Sequence, residues 1–158
     1  ILAQDLLERI LKKDPGFFEA LVIKLLVAMG YGGSLNEAAG MVVGKSGDEG
    51  IDGIIKEDKL GLDNIYIQAK RWNNVVERPE VQKFVGALAG KGATKGIFIT
   101  TSSFSRGARE FKPQNNIKIV LIDGNQLCEY MIDYNIGVFT ANTFEVKRID
   151  IDFFESEE

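Results

Sequence analysis

Hydrophobic residues recur along this chain with two periods, and the switching between them lays out a fold. Leu2, Leu6, Leu7, Ile10 and Leu11 follow a helical spacing over Ile1 to Lys13. Asp14-Pro15 then reads as an N-cap followed by proline at the first helical position. The helix it opens carries Phe18, Leu21, Val22, Leu25, Leu26 and Met29 on one face, and Gly30 ends it. Met41 to Val43 is a short strand ahead of a glycine-rich turn, Gly44 to Gly50. Ile51 to Glu57 is a second strand, Leu60-Gly61-Leu62-Asp63-Asn64 a hairpin turn, and Ile65 to Arg71 a third strand. Helical spacing returns over Pro79 to Ala89 through Val81, Phe84, Val85 and Leu88. Lys95 to Thr101 reads as a buried strand, Ser105 to Phe111 as a short helix capped by Ser105, and Ile117 to Ile122 as a strand. Gly124 to Tyr134 closes the series as a helix with Leu127, Met131 and Ile132 on its apolar side. The order αβββαβαβα predicts a mixed α/β (α+β) fold, a central sheet flanked by helices and made partly parallel by its crossovers.

Three segments follow from this pattern. Residues 1–13 form a connecting or docking helix, 14–138 a single folded domain, and 139–158 a C-terminal extension with an acidic tail. A chain of 158 residues is long enough for one domain with a substantial core. It opens on Ile1 rather than Met, which points to an excised domain. No apolar run approaches the length of a membrane span and no leader precedes the first helix, so a cytoplasmic protein is expected.

Composition narrows the chemistry. The chain has no His and one Cys, Cys128. That excludes triads built on imidazole, His- or Cys-ligated zinc and an internal disulfide framework. The net charge of −4 is unevenly laid out. Asp150 to Glu158 carries five acids and no base, leaving 1–149 at +1. Tyr66 to Lys112 holds nine bases against three acids, and Asp14 to Asp63 four bases against nine acids. Such a pairing is either an ordinary solvated surface or a phosphate-binding wall beside a carboxylate site.

The third strand bears on that choice. Alternation puts Ile65, Ile67 and Ala69 on one face and Tyr66, Gln68, Lys70 and Trp72 on the other. A lysine in a central strand is costly to bury unless it is paired or used. If the second and third strands form a hairpin, Asp52 and Gln68 converge, with Lys70 one step along the same face. A carboxylate, an amide oxygen and the backbone carbonyl of Ala69 are hard ligands suited to Mg²⁺. Lys70 can then orient a water for in-line attack on a phosphodiester. The plainer alternative is that Asp52 caps a turn and the Gln-Ala-Lys strand is a half-exposed edge. Glu19, at the margin of its helix's apolar face, and Gln82, at the border of the Val81/Phe84/Val85 face, could complete the site; a dipole-favoured acid and a surface Gln are the alternatives. Other motifs fail on spacing: Gly44-Lys45-Ser46 has Ala39 where a P-loop needs glycine, and the Asp48-Gly50-Asp52 run has Lys59 where a calcium loop needs Glu.

These residues resemble a known family. Gly44-Lys45-Ser46-Gly47-Asp48-Glu49-Gly50-Ile51-Asp52-Gly53 and Tyr66-Ile67-Gln68-Ala69-Lys70 are similar to the catalytic domain of Mrr-type restriction endonucleases, a branch of the PD-(D/E)XK nuclease superfamily. Phe17-Phe18-Glu19, Gly30-Tyr31, Thr100-Thr101-Ser102-Ser103-Phe104-Ser105 and Leu121-Ile122-Asp123-Gly124 fit the same pattern. The likeness covers about residues 15–138 and implies a restriction-endonuclease-like core. It further implies a Mg²⁺-dependent DNA endonuclease, with Mn²⁺ able to substitute. Asp52, Gln68 and the Ala69 carbonyl would be metal ligands, Lys70 the catalytic lysine, and Glu19 a supporting acid acting through water. Gln68 stands where the wider superfamily has an acid, a usual variant in this branch, and Glu49 stands where the branch often has glycine. Arg71, Arg78, Lys83, Lys91, Arg106 and Arg109 would contact DNA phosphates. The family implies a separate DNA-recognition domain elsewhere in a longer protein and, because two strands need two sites, a homodimer or higher assembly. A junction-resolving or repair nuclease of the same fold, or a silent DNA-binding or assembly module, is the alternative.

Overall fold

The computed structural model describes residues 1–32, 41–42 and 50–157. Val43, the turn from Gly44 to Glu49 and the residues at 39 and 44–48 weighed above lie outside the described residues. The elements run in chain order as α1 (Leu2–Leu11), α2 (Pro15–Ala28), β1 (Met41–Val42), β2 (Gly53–Lys56), β3 (Asn64–Lys70), α3 (Arg78–Gly90), β4 (Lys95–Thr100), α4 (Arg106–Glu110), β5 (Lys118–Ile122), α5 (Gly124–Asp133) and α6 (Ile151–Glu155).

The strands stand in sequence order, β1-β2-β3-β4-β5. β1, β2 and β3 pair antiparallel, while β3–β4 and β4–β5 pair parallel. β2 and β3 are joined by a short connection, and each parallel pair is joined by a crossover helix, α3 or α4. The expected mixed sheet is therefore present, with β3 at the change from antiparallel to parallel.

Each face of the sheet has its own core. On one side Ile55, Ile65, Ile67, Ala69, Ile97, Ile99 and Ile122 pack against α1, α2 and α5. α2 is apolar around most of its circumference, with Phe18, Leu21, Val22, Ile23, Leu25 and Leu26 buried, as a helix wedged between a sheet and its neighbours must be. Its start is fixed by Asp14, whose side chain accepts from the Phe17 N–H at 2.7 Å. α1 is an integral part of this layer, burying Leu6 and Ile10 against α5. On the other side Phe98 makes edge-on contacts with Phe84 of α3 and Phe104, at centroid separations of 5.6 and 5.4 Å.

Two glycines mark close approaches. A Cβ at Gly96 would meet the Phe84 ring at 2.7 Å, and one at Gly124 would lie 2.2 Å from the Thr101 carbonyl oxygen. The second fixes how tightly α5 seats on the end of β4. α5 itself opens with a capping box between Asp123 and Gln126. Among the described residues beyond Val138 none is buried; 139–157 are exposed throughout, including the short α6, which the hydrophobic pattern did not announce.

Candidate active site

The site forms where β3 outruns its antiparallel neighbour. β2 pairs with β3 from Lys56↔Asn64 to Gly53↔Ile67, whereas the β3–β4 ladder continues to Lys70↔Thr100. Gln68, Ala69 and Lys70 therefore lack a strand partner on one side. Asp52 stands at that gap. Its N–H donates to the Ile67 carbonyl at 2.7 Å, and its Oδ2 accepts from the Ala69 N–H at 2.7 Å. The expected strand began at Ile51 but β2 begins at Gly53, because the Asp52 side chain, not a backbone carbonyl, meets Ala69. N–H and C=O of one residue point the same way in a strand, so the Ala69 carbonyl faces this edge too.

Gln68 links Asp52 to the other half of the site. It is 3% exposed, and its Nε2 donates to Asp52 Oδ2 at 2.7 Å. Its Oε1 lies toward Gly50, where an added Cβ would come within 3.4 Å of that oxygen and 3.5 Å of Ala87. Gly50 also has φ +86°, so glycine meets both demands. Both bonds to Asp52 fall on Oδ2, and Oδ1 takes no part in them. Burial pushes the Asp52 carboxyl above the usual carboxylate range, against the downward pull of the Ala69 N–H and the Lys70 ammonium.

Lys70 shares the Gln68 face. Its Nζ sits over the Trp72 ring, 5.0 Å from the centroid. The backbone beneath it is stitched down by the Thr100-Thr101 pair: Thr100 Oγ1 donates to the Lys70 carbonyl at 2.8 Å and Thr101 Oγ1 to the Trp72 carbonyl at 2.7 Å. Both threonines are buried. Their positioning role has a signal in the sequence, two hydroxyl residues closing an apolar strand, but that signal does not name the strand they hold.

A cavity of about 540 Å³ opens beside these groups, lined by Gly50, Gln68, Lys70, Glu80, Lys83 and Ala87. Glu80 is a carboxylate that the sequence reading passed over; its Oε1 lies 3.8 Å from Lys83 Nζ. Residues 80, 83 and 87 share one flank of α3, since each residue turns about 100°. Gln82 falls about 200° from Glu80 on that wheel, is exposed and is absent from the lining, so α3 does not bring it to this cavity. Glu19 is half-buried on α2, which packs against the Ile65/Ile67/Ala69 face rather than the Gln68/Lys70 face. Among the described residues no three Asp, Glu or Cys side chains converge.

The basic residues divide. Lys83 is at the cavity rim. Arg71 reaches the other way: its Nη1 donates to the Leu11 carbonyl at 3.1 Å, which ties it to the end of α1, and its Nε is buried without a hydrogen-bond partner. Arg106 pairs with Glu110 and Arg109 with Asp123, both at 2.8 Å. Arg78 lies over the Phe111 ring at 5.2 Å. Lys91 caps the far end of α3, about 17 Å along the axis from Glu80.

Comparisons with known proteins bear on this arrangement. The Mrr_cat family model, restriction endonuclease, matches residues 10–131. The type IV methyl-directed restriction enzyme EcoKMrr of Escherichia coli (strain K12) is 46% identical over 154 residues, covering 98% of this chain and 49% of that protein. The chain thus spans about half the length of the curated relative it matches. Among solved structures, the DNA modification-dependent restriction endonuclease AspBHI superimposes with a TM-score of 0.66 at 19% identity, over 86% of this chain and 36% of that one, a likeness of fold. The MspJI restriction endonuclease in complex with a 27-mer oligonucleotide superimposes with a TM-score of 0.60 at 25% identity, over 85% and 33%.

Proposed function

The chain belongs to the restriction endonuclease family described by the Mrr_cat model, and from that premise we propose that it hydrolyses DNA phosphodiester bonds at the Asp52–Gln68–Lys70 cluster with a divalent cation, Mg²⁺ or Mn²⁺ in its place. The observation that carries this reading is the meeting of a carboxylate, an amide and an ammonium at the unpaired end of β3, beside an open cavity.

The donor set fits such an ion. One carboxylate and the Ala69 carbonyl are hard oxygens that suit a cation keeping several waters; Gln68 turns its Nε2 to Asp52 and its Oε1 toward Gly50 here, so holding the ion through that oxygen would require its amide to rotate. Glu19 is kept as a supporting acid through water on the family resemblance alone, since α2 packs against the opposite face of β3. When bound, the cation would supply Lewis acidity toward the phosphate and make a nearby water more acidic.

The remaining work falls to this chain's own groups. Asp52 fixes the negative charge of the site and is held in place by the Gln68 amide and the Ala69 N–H. Lys70, steadied by Trp72 and by the threonine-pinned backbone, donates to the attacking water or the phosphate oxygens and offsets the charge that builds there. Lys83 at the rim and Arg78, Lys91, Arg106 and Arg109 around the α3–α4 surface position the phosphate backbone without reading bases. Selection of the DNA would then rest on a part of the polypeptide beyond these residues. Because the relatives are methyl-directed or modification-dependent, modified DNA is the proposed target of the whole enzyme. A cytoplasmic location and a homo-oligomer acting on both strands go with this reading.

The test compares the purified chain with Asp52→Asn and Lys70→Ala on duplex DNA, with and without Mg²⁺ or Mn²⁺. Metal-dependent nicking or cutting by the parent and a loss of at least about a hundredfold in each variant, with unchanged far-UV circular dichroism, is the expected result. Full cleavage by either folded variant would sink the assignment.

A further inference from the structure

The C-terminal arm carries a contradiction that the nuclease reading leaves untouched. Phe139, Phe144, Val146, Ile149, Phe153 and Phe154 are each 71–89% exposed. Single exposed apolar residues are ordinary, but a run of this kind on one segment marks an interaction site. Its charge says what kind of partner it takes. Counting along the sequence, residues 1–138 hold 17 bases and 17 acids, so the body is neutral; residues 139–158 hold two bases and six acids, so the arm carries the whole −4. Five of those acids lie in 150–158, a tail that DNA and anionic membranes repel, whereas the stretch 139–149 holds two bases and one acid and suits a protein surface.

The body offers a matching vacancy. β5 is the last strand of the sheet, and among the described residues nothing pairs with its outer edge. Lys118 is exposed there and Val120 is 55% exposed. The arm holds the complementary element: Thr143-Phe144-Glu145-Val146-Lys147 alternates polar and apolar with β-branched and aromatic residues, yet residues 138–150 form neither strand nor helix. A strand sequence without a sheet and a sheet edge without a strand fit together by strand addition. The arm does not lie on its own β5, and an extended stretch of 11 residues from Phe139 to Ile149 reaches about 36 Å. That exceeds the roughly 14 Å radius of gyration expected for a body of this size.

We propose that the arm of one copy adds as a strand to the outer edge of β5 in a second copy, with α6 packing its phenylalanines beyond the edge. The exposed apolar side chains of the arm amount to roughly 1,000 Å², which meets the ~800 Å² per partner of a standard interface, and a reciprocal exchange doubles it. The contact does not depend on DNA cleavage.

Two measurements test it on the 158-residue chain at tens of micromolar. Light scattering should give twice the 17.5 kDa chain mass, falling to that of a monomer when the chain is cut after Val138 or carries Val146→Asp; the cut chain should lose only the far-UV signal of the five-residue α6, since none of the described residues after Val138 is buried. Mixing a Val120→Cys chain with a Val146→Cys chain under mild oxidation should give a disulfide-linked heterodimer, while the buried Cys128 stays out of reach. A parent chain that is monomeric overturns the proposal. So does a dimer whose mass survives removal of the arm, or a chain bearing both cysteines that closes on itself as a monomer.

Discussion

Replacing Gln68 by Glu separates the structural from the catalytic role of this position. Gln68 is buried and gives Asp52 a hydrogen bond of 2.7 Å. Gln68→Glu removes the donor, and a hydrogen bond to a charged group contributes about 1.5–3 kcal/mol. It also sets two carboxylates at that distance. With an effective dielectric constant near 20 their repulsion is about 6 kcal/mol if both ionise. Binding one proton at pH 7 costs an ordinary carboxyl only about 4 kcal/mol, so the pair should share a proton and a hydrogen bond instead. The variant should therefore be about 2–4 kcal/mol less stable than the parent at pH 7, or roughly 5–15 °C in Tm for a chain of this size.

The sign with pH follows from the direction of the shift. Burial already raises Asp52 above its unfolded value, so the folded state binds the proton more tightly than the unfolded one. Stability from this group is complete below the unfolded pKa, near 4, and is lost as pH rises through the higher folded value. In Gln68→Glu the same loss should be larger and extend further up, at about 1.4 kcal/mol per pH unit while the pair is giving up its proton. Urea denaturation of both proteins at pH 5.5, 7 and 8.5, with and without millimolar Mg²⁺, reads this out. The deficit should shrink at pH 5.5 and also shrink when the cation is added, because a cation between two carboxylates replaces the shared proton. A deficit independent of both pH and metal would refute the idea that Asp52 and residue 68 form one electrostatic unit.

Two further outcomes follow from packing and from surface charge. Gly124→Ala should cost about 3 kcal/mol, the top of the usual range for overpacking, because its Cβ meets the Thr101 carbonyl at 2.2 Å, whereas Gly86→Ala, with nothing within 4 Å on the exposed side of α3, should stabilise by roughly 0.5–1 kcal/mol; thermal denaturation distinguishes them, and equal effects would count against the described seat of α5. Asp63 is held below its usual range chiefly by the Lys95 ammonium at 3.1 Å, so its contribution is present above the unfolded pKa and disappears as pH falls through the lower folded one. Acid titration of Asp63→Asn should show a weaker loss of stability below about pH 4 than the parent, and identical acid curves would show the contact to be without effect.

Much of this was legible because the chain writes its two periods clearly. The alternation in Ile65 to Trp72 assigned Gln68 and Lys70 to one face and Ala69 to the other, and the cores on the two sides of the sheet agree. Asp14-Pro15 and Ser105 announced helix starts that the Phe17 and Ala108 N–H groups complete. What stayed hidden depends on contacts between segments far apart in the chain. Nothing near Arg71 tells that its guanidinium reaches back 60 residues to the Leu11 carbonyl. Glu80 and Gln82 are equally plausible on paper; the choice between them is made by which flank of α3 looks into the cavity, and that is set by how Val81, Phe84 and Leu88 seat on the sheet. The start of β2 lies two residues later than the pattern implies for the same reason, since a side chain doing a backbone's work leaves no mark on hydrophobic pattern.

That substitution of side chain for backbone explains why an amide can stand at position 68. Asp52 Oδ2 occupies the place where a longer β2 would offer a carbonyl to the Ala69 N–H, so the sheet's own ladder dictates the position of the carboxylate. A second acceptor beside it would leave two negative groups competing for one N–H. Gln68 instead donates, so Asp52 is held in place before any cation arrives. The amide forgoes one negative charge toward a metal and in return preorganises the one carboxylate that remains. On this view the neutral residue makes the site less dependent on its cation for shape and more dependent on it for charge, with Lys70 supplying the only fixed positive group on that face of β3.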